Sequence, residues 1–182
     1  MNRDEIPEPS DDELAALAAG GDLCAFAAIY RRYTPVVHGI LLSRLPFNEC
    51  EDLLQDVFAA ALKGIGNLRE GVNLGPWLAA IARNHAAGHF RQRKGITVPL
   101  DTKFAAPAPT QSLDGAMLLD EIKKLPEAYR ETLILRFVEG FTGPEIARRT
   151  GLTHGSVRVN LSRGIALLRD RLRSGSRGKE AL

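Results

Sequence analysis

The stretch FTGPEIARRTGLTHGSVRVNLSRGIALLRDRLR, from Phe141 to Arg173, carries the clearest structural signals in this 182-residue chain. Thr142 and Glu145 have the spacing of a capping box, in which each side chain accepts a hydrogen bond from a backbone N–H that a new helix leaves unpaired. Gly151 lies where that short helix should end, and Thr153 can cap a second helix directly after it. Two short amphipathic helices joined by such a turn predict a helix-turn-helix motif.

The second helix of this pair separates a buried stripe from an exposed cationic face. Its apolar residues recur at three- and four-residue steps, at Val157, Leu161, Ile165, Leu168 and Leu172. The opposite face begins with small side chains and continues with arginine, which suits a helix tip that enters the DNA major groove. We predict DNA contacts from Thr153, His154, Ser156, Arg158, Val159, Asn160, Ser162 and Arg163. The alternative is a solvated helix whose arginines contact nothing, and the capped helix before it argues against that interpretation.

The composition limits the classes of protein to consider. Hydrophobic residues make up 45% of the chain, which is ordinary for a globular protein, and the net charge is only +2. Acidic residues nevertheless dominate from Asn2 to Asp22, and arginine dominates from Glu145 onward, so a basic C-terminal surface for nucleic acid is indicated. Two cysteines, Cys24 and Cys50, are too few for a disulfide framework and are predicted to be buried thiols.

The apolar periodicity predicts an all-α protein, because helical spacing occurs throughout the chain and strand-like alternation does not. We divide the chain into an acidic N-terminal tail (1–21), a small helical domain (22–94), a flexible linker rich in Pro, Ala, Ser and Thr (95–115), a second small helical domain with the helix-turn-helix (116–174) and a C-terminal tail (175–182). No apolar run approaches the length of a membrane span and no signal peptide is evident, so we expect a cytoplasmic protein without membrane insertion.

Three stretches, in this order, resemble one family. They are AFAAIYRRYTPVV (25–37) with EDLLQDVFAAAL (51–62), then PWLAAIARNHAAGHFRQRK (76–94), and finally LPEAYRETLILRF (125–137) leading into the helix-turn-helix. Together they resemble bacterial RNA polymerase sigma factors of the extracytoplasmic-function (ECF) class, the minimal members of the sigma-70 family with only regions 2 and 4. The resemblance implies that residues 22–94 are region 2 and residues 116–174 are region 4. It also implies binding to core polymerase and initiation at promoters with −35 and −10 elements.

The resemblance gives the helix containing EDLLQDVF a role in docking onto the polymerase. Asp52, Gln55 and Asp56 lie on the face of this helix that points away from its apolar residues. In the family this helix docks onto the clamp of the β′ subunit, where outward carboxylates suit basic residues, and the β flap is the other implied contact. A merely solvated acidic face is the alternative.

The helix from Trp77 to Lys94 and the loop before it are implied to engage the −10 element. Sigma factors capture a flipped base and stabilise the unpaired strand, which calls for cations along the backbone and pockets or planar groups for bases. The implied residues are Arg83, Asn84, His89, Arg91, Arg93 and Lys94, with the loop from Asn67 to Asn73 near the flipped base. Trp77 could stack on a base, although its apolar neighbours favour a core role.

Other classes of function find little in the sequence. No Gly-rich phosphate loop or nucleophile–base arrangement is evident, so neither an enzyme nor a cofactor is predicted. His85 and His89 have the spacing of helical metal ligands but lack a third ligand, and no metal site is predicted. Members of the class are often held inactive by an anti-sigma factor, which joins core polymerase and promoter DNA as an implied partner. The alternative function is a helix-turn-helix regulator that binds duplex DNA without polymerase.

Overall fold

The computed structural model describes residues 9–68, 73–94 and 113–177, and every regular element in these ranges is helical. The elements are α1 (Asp11–Ala19), α2 (Leu23–Leu42), α3 (Phe47–Gly64), a 3-10 turn (Ile65–Asn67), α4 (Leu74–Lys94), α5 (Leu113–Lys123), α6 (Glu127–Phe137), α7 (Gly143–Thr150) and α8 (His154–Arg177). The all-α prediction is confirmed. A search of the described helices finds none that is long and apolar enough to span a membrane.

The helices α1 to α4 form one packed unit, called here the N-terminal module. Asp22 caps α2, because its carboxylate accepts hydrogen bonds from the backbone N–H groups of Cys24 (2.8 Å) and Ala25 (3.1 Å). The apolar stripes of α2, α3 and α4 meet in a common core, to which Ile29, Val36, Ile40, Val57, Leu78 and Ala82 contribute. Cys50 is buried in α3 as expected, whereas Cys24 is exposed, so the prediction of two buried thiols was wrong for Cys24.

The acidic N-terminal segment is folded over residues 10–19, and the prediction of a tail over residues 1–21 was wrong there. Ser10 and Glu13 form a capping box: the Glu13 N–H donates to the Ser10 hydroxyl (3.2 Å) and the Ser10 N–H donates to the Glu13 carboxylate (2.8 Å). Leu14 and Ala18 then bury the inner side of α1 against the module. Residues 1–8 lie outside the described part of the chain.

Asp11, in the first turn of α1, ties this helix to α2. Its carboxylate accepts hydrogen bonds from the Arg32 guanidinium (2.8 Å) and from the Tyr33 hydroxyl (2.5 Å). Burial acts to raise the pKa of Asp11, but the hydrogen bonds from Tyr33 and Arg32 outweigh burial, so the pKa lies below its usual value. Asp11 therefore holds α1 against α2 and is not part of a tail.

The helices α5 to α8 form the C-terminal module. α8 crosses α6 at Gly164, where an added Cβ would lie 3.0 Å from Cδ1 of Leu133, tighter than an ordinary contact, so glycine favours this close approach. Buried Val157 of α8 packs with buried Ile146 of α7 and holds the two helices of the helix-turn-helix together. α5 begins at Leu113, inside the predicted linker; residues 95–112 of that linker lie outside the described residues.

The two modules pack directly against each other. α2 contacts α6, and α4 contacts α7. Val37 and Ile40 of the N-terminal module belong to the same continuous cluster of buried residues as Ile122, Leu133 and Ile134 of the C-terminal module. The two units that the sequence separates therefore share a core in this structure.

Candidate nucleic-acid interface

The helix-turn-helix has the caps that the sequence predicts. The Thr142 N–H donates to the Glu145 carboxylate (2.7 Å), and the Glu145 N–H donates to the Thr142 hydroxyl (3.4 Å). The hydrogen bonds from Thr142 hold the pKa of Glu145 below its usual value. Gly151 ends α7 in the left-handed conformation, with φ 78°, and its N–H donates to the Ala147 carbonyl (3.1 Å). Hydrogen bonds thus fix both ends of α7 and the direction in which the chain enters α8.

The N-terminal tip of α8 presents its predicted DNA-binding side chains to solvent. The Thr153 hydroxyl accepts a hydrogen bond from the Ser156 N–H (3.1 Å) and caps the helix, while Val157, only 1% exposed, anchors it. Of the eight predicted residues Asn160 is half-buried, and the others are exposed: Thr153, His154, Ser156, Arg158, Val159, Ser162 and Arg163. The tip is therefore a cationic protrusion with small side chains at its end.

The two arginines of α7 have different environments. Arg148 is exposed, whereas Arg149 is half-buried and turned toward the N-terminal module. The Arg149 guanidinium donates to the Arg32 carbonyl (2.9 Å) and lies over the rings of Tyr33 (5.4 Å to the centroid) and Phe141 (5.1 Å). Arg149 therefore contributes to the contact between the modules.

Arg83 does not face solvent with the other predicted −10 residues. Its guanidinium donates to both carboxylate oxygens of Glu131 on α6 (2.7 and 3.3 Å) and to the Thr150 carbonyl at the end of α7 (3.2 Å). Arg44 of α2 contacts the same carboxylate at 2.8 Å. In this structure Arg83 therefore binds the C-terminal module, whereas the sequence predicts that it binds DNA.

Glu131 is the centre of this cluster and was not singled out from the sequence. Only 5% of the residue is exposed, and both guanidinium groups that contact it belong to the N-terminal module. Burial acts to raise the pKa of Glu131, but the hydrogen bonds and positive charges of Arg83 and Arg44 outweigh burial and hold the pKa below its usual value. Glu131 is therefore an ionised carboxylate held between the modules.

The other predicted residues of α4 are divided between solvent and packing. Asn84 and Arg91 are exposed. His89 is half-buried, and its Nε2 lies 2.9 Å from a carboxylate oxygen of Glu49 on α3, so it joins two helices of the module. The side chains of Arg93 and Lys94 lie outside the described part of the structure.

A cavity of about 400 Å³ opens between the end of α3, the 3-10 turn and α4. Its lining combines apolar surface with amide and imidazole groups, from Ala60, Gly64, Asn67, Leu68, Trp77, Ile81, Asn84 and His85. Trp77 is only partly buried, so it packs against the core with one part and lines the cavity with another. Of the predicted flipped-base loop, Asn67 lines this cavity, and residues 69–72 lie outside the described ranges.

The residues predicted to dock onto the polymerase share one exposed face of α3. Asp52, Gln55 and Asp56 are all exposed, while Leu53 and Val57 on the inner side of the helix are buried. α3 thus offers an open carboxylate surface of the kind that binds a basic protein.

Among the residues that the structure describes, no group of three His, Cys, Asp or Glu side chains is arranged to hold a metal ion.

Comparison with known proteins identifies both modules. The family Sigma-70 region 2 matches residues 29–96, and the family Sigma-70, region 4 matches residues 116–168. The RNA polymerase sigma factor CarQ of Myxococcus xanthus is 32% identical over 81% of this chain and 89% of CarQ. The ECF RNA polymerase sigma factor BldN of Streptomyces coelicolor is 32% identical over 86% of this chain, which spans only 63% of the length of BldN.

Two solved structures share the arrangement of the fold. CnrH in complex with the cytosolic domain of CnrY aligns with a TM-score of 0.64 and 25% identity, over 90% of this chain and 97% of CnrH. The sigma factor RpoE of Bartonella quintana, in complex with the anti-sigma factor NepR, aligns with a TM-score of 0.61 and 25% identity, over 81% of this chain and 96% of RpoE. The chain therefore belongs to the sigma-70 family of RNA polymerase sigma factors, in its extracytoplasmic-function class.

Proposed function

We propose that this chain is a promoter-specificity subunit that binds core RNA polymerase and directs initiation at promoters with −35 and −10 elements. The observation that carries the proposal is the presence of two chemically different exposed surfaces, the cationic tip of α8 and the carboxylate face of α3. The first suits DNA and the second suits a basic protein surface. A subunit that connects a promoter to a polymerase needs both.

The −35 element is assigned to the tip of α8. Arg158 is exposed beside the small side chain of Ser162, so its guanidinium can reach both acceptors of one guanine edge in the major groove. Val159, 40% exposed, can contact a thymine methyl group. Arg163 lies farther along the helix and is assigned to the phosphate backbone, which positions the helix without reading sequence.

The −10 element is assigned to the exposed side of α4 and to the cavity at its start. Asn84 is exposed and also lines the cavity, so its amide can hydrogen-bond to the edge of a base held there. Arg91, farther along α4, can neutralise the backbone of the unpaired strand. Strand opening is then driven by binding of the unpaired strand and its flipped base, so no catalytic residue is required.

Two protein partners follow from this function. Asp52, Gln55 and Asp56 are assigned to the clamp of the β′ subunit, and the C-terminal module is assigned to the β flap. The second protein partner that we propose is an anti-sigma factor, since RpoE is bound to an anti-sigma factor in its solved structure. Because the polymerase and the chromosome are cytoplasmic in bacteria, we place the chain in the cytoplasm.

The stand-alone regulator is not favoured. It accounts for the helix-turn-helix but not for the region 2 match over residues 29–96. Purified chain mixed with core polymerase separates the two functions: a sigma factor co-elutes with core enzyme and directs transcription of genomic DNA from mapped start sites that share a −35 and −10 pair. Core enzyme alone is the control. A chain that binds duplex DNA but neither co-elutes with core enzyme nor changes its start sites would contradict the proposal.

A further inference from the structure

A second cavity lies where α2, α4 and α6 meet. Its volume is about 600 Å³, within the range of about 300–1,000 Å³ that is usual for small-molecule sites. Four of the side chains that line it are arginines, namely Arg44, Arg83, Arg91 and Arg130. The size and the charge of this cavity suit a small anion.

Two of the four arginines are paired with carboxylates. Arg44 contacts Glu127 at 2.7 Å and Glu131 at 2.8 Å. Arg83 contacts Glu131 at 2.7 Å. These two glutamates therefore compensate the charges of Arg44 and Arg83, and they leave the charges of the other two arginines unchanged.

Arg91 and Arg130 have no carboxylate partner within the part of the chain that the structure describes. Nη1 of Arg130 donates to the Lys123 carbonyl (3.1 Å), which fixes the guanidinium group, and its buried Nε has no hydrogen-bond partner among the described residues. A recess with low-dielectric walls strengthens the attraction between such cations and an anion. The cavity thus offers two uncompensated positive charges, one from α4 and one from α6.

The cavity also offers two groups that suit a nucleobase. Phe90 lines it with a side chain that is 49% exposed, and aromatic rings of this kind stack on the planar face of a base. The amide of Asn84 lines it as well and presents both a donor and an acceptor to the edge of a base. Arginine, an aromatic ring and an amide together match the phosphate and the base of a nucleotide.

We propose that this cavity binds a free nucleotide with at least two phosphate groups, whose phosphates contact Arg91 and Arg130 and whose base stacks on Phe90. Two unpaired guanidinium groups call for at least two negative charges, and hydrogen bonds between arginine and phosphate are among the strong ones in proteins. The inference goes beyond the proposed function, which assigns only macromolecular partners to the chain.

A free nucleotide accounts for the cavity better than a strand of DNA does. A strand that follows α4 would use Arg91 and Asn84, but it would leave Arg130 unexplained, because Arg130 lies on α6, outside both surfaces assigned to DNA. A nucleotide held between Arg91 and Arg130 would connect α4 with α6. By mass action it would therefore stabilise the folded chain.

Isothermal titration calorimetry on the full-length chain at low salt tests the site. The probes are ADP and GDP, with pyrophosphate and adenosine as the separate halves of the ligand and a short oligo(dT) strand as the polymer. Arg130→Gln removes the unpaired charge, and Arg136→Gln, at an exposed position of the same helix, is its control. Phe90→Ala removes the ring; its control is Phe137→Ala, from a side chain that is 53% exposed and does not line the cavity. Circular dichroism on all four variants verifies that the helices remain folded.

The two variants should affect the two halves of the ligand differently. We expect Arg130→Gln to weaken the binding of ADP, GDP and pyrophosphate by at least about tenfold, because it removes charged hydrogen bonds. Phe90→Ala should weaken the binding of ADP and GDP by at least about fivefold and leave that of pyrophosphate unchanged, since only the base stacks. Both controls should stay within about twofold of the wild type. Saturating ADP should also raise the midpoint of thermal unfolding of the wild type.

Several results would overturn the site. They are ADP and GDP binding weaker than about 1 mM in the wild type, losses in the control variants equal to those in Arg130→Gln and Phe90→Ala, and binding of oligo(dT) without binding of either nucleotide. An unchanged affinity of Phe90→Ala for ADP would overturn the assignment to a nucleotide. None of these measurements involves polymerase or a promoter, so their failure would leave the proposed function standing, and failure to bind core polymerase would leave the nucleotide site standing.

Discussion

Substitution of Gly151 by alanine tests the turn and the module contact at once. Gly151 has φ 78°, a left-handed conformation that costs an L-residue about 1–2 kcal/mol. An added Cβ would also lie 3.1 Å from the Cβ atom of Pro76 on α4, tighter than an ordinary contact. We expect a loss of about 1–2 kcal/mol in unfolding free energy from the backbone, and about 1 kcal/mol more from the crowding. The crowding cannot cost more than the free energy with which the two modules pack together, since separation of the modules would relieve it.

Gly140 supplies the matched control. It has φ 77°, almost the same as Gly151, but a Cβ added there would meet nothing within 4 Å. Gly140→Ala therefore reports the backbone cost alone. Urea unfolding followed by circular dichroism gives both free energies, and we expect Gly151→Ala to be the more destabilised of the two.

A double-mutant cycle with Pro76→Gly isolates the contact, because this change removes the nearest Cβ atom. The excess cost of Gly151→Ala should disappear in the Pro76→Gly background. If Gly151→Ala were as stable as the wild type, the left-handed cap would be refuted. If its cost equalled that of Gly140→Ala in both backgrounds, the turn would not touch α4 in solution, and the packing of the two modules would lose one of its contacts.

Three further outcomes are expected. Arg158→Ala should weaken binding to a −35 duplex by about 1–3 kcal/mol in fluorescence anisotropy and relax base preference there, whereas Arg163→Ala should weaken binding without changing preference. An unaltered preference in Arg158→Ala would contradict the assignment. Replacing Asp52 and Asp56 by lysine should weaken binding to core polymerase in a pull-down titration, while Asp12→Lys, at an exposed position of α1, should not; wild-type affinity of the double variant would exclude the α3 face. One thiol per native chain should react rapidly with Ellman's reagent. Cys24 is exposed, whereas burial protects Cys50 and raises the pKa of its thiol to about 11. Two rapidly reacting thiols would show that α3 does not pack as the structure describes.

Local sequence signals predict the helix-turn-helix well. The capping box at Thr142 and Glu145, the left-handed Gly151 and the cap at Thr153 are all interactions between residues no more than four positions apart. The apolar stripe fixes the inner side of α8 through Val157. The same kind of signal precedes α1, where Ser10 and Glu13 also form a capping box, although the run of acidic residues around it predicts an acidic tail.

Residues at the module contact could not be assigned in this way. Arg83 and Glu131 are 48 positions apart, and Arg149 and the carbonyl of Arg32 are 117 positions apart. Periodicity places Arg83 and Arg149 on the polar sides of their helices, and it cannot tell a side exposed to water from a side covered by another module. The one local hint is Glu131 itself, since it directly precedes Thr132, Leu133, Ile134 and Leu135, all of which are buried.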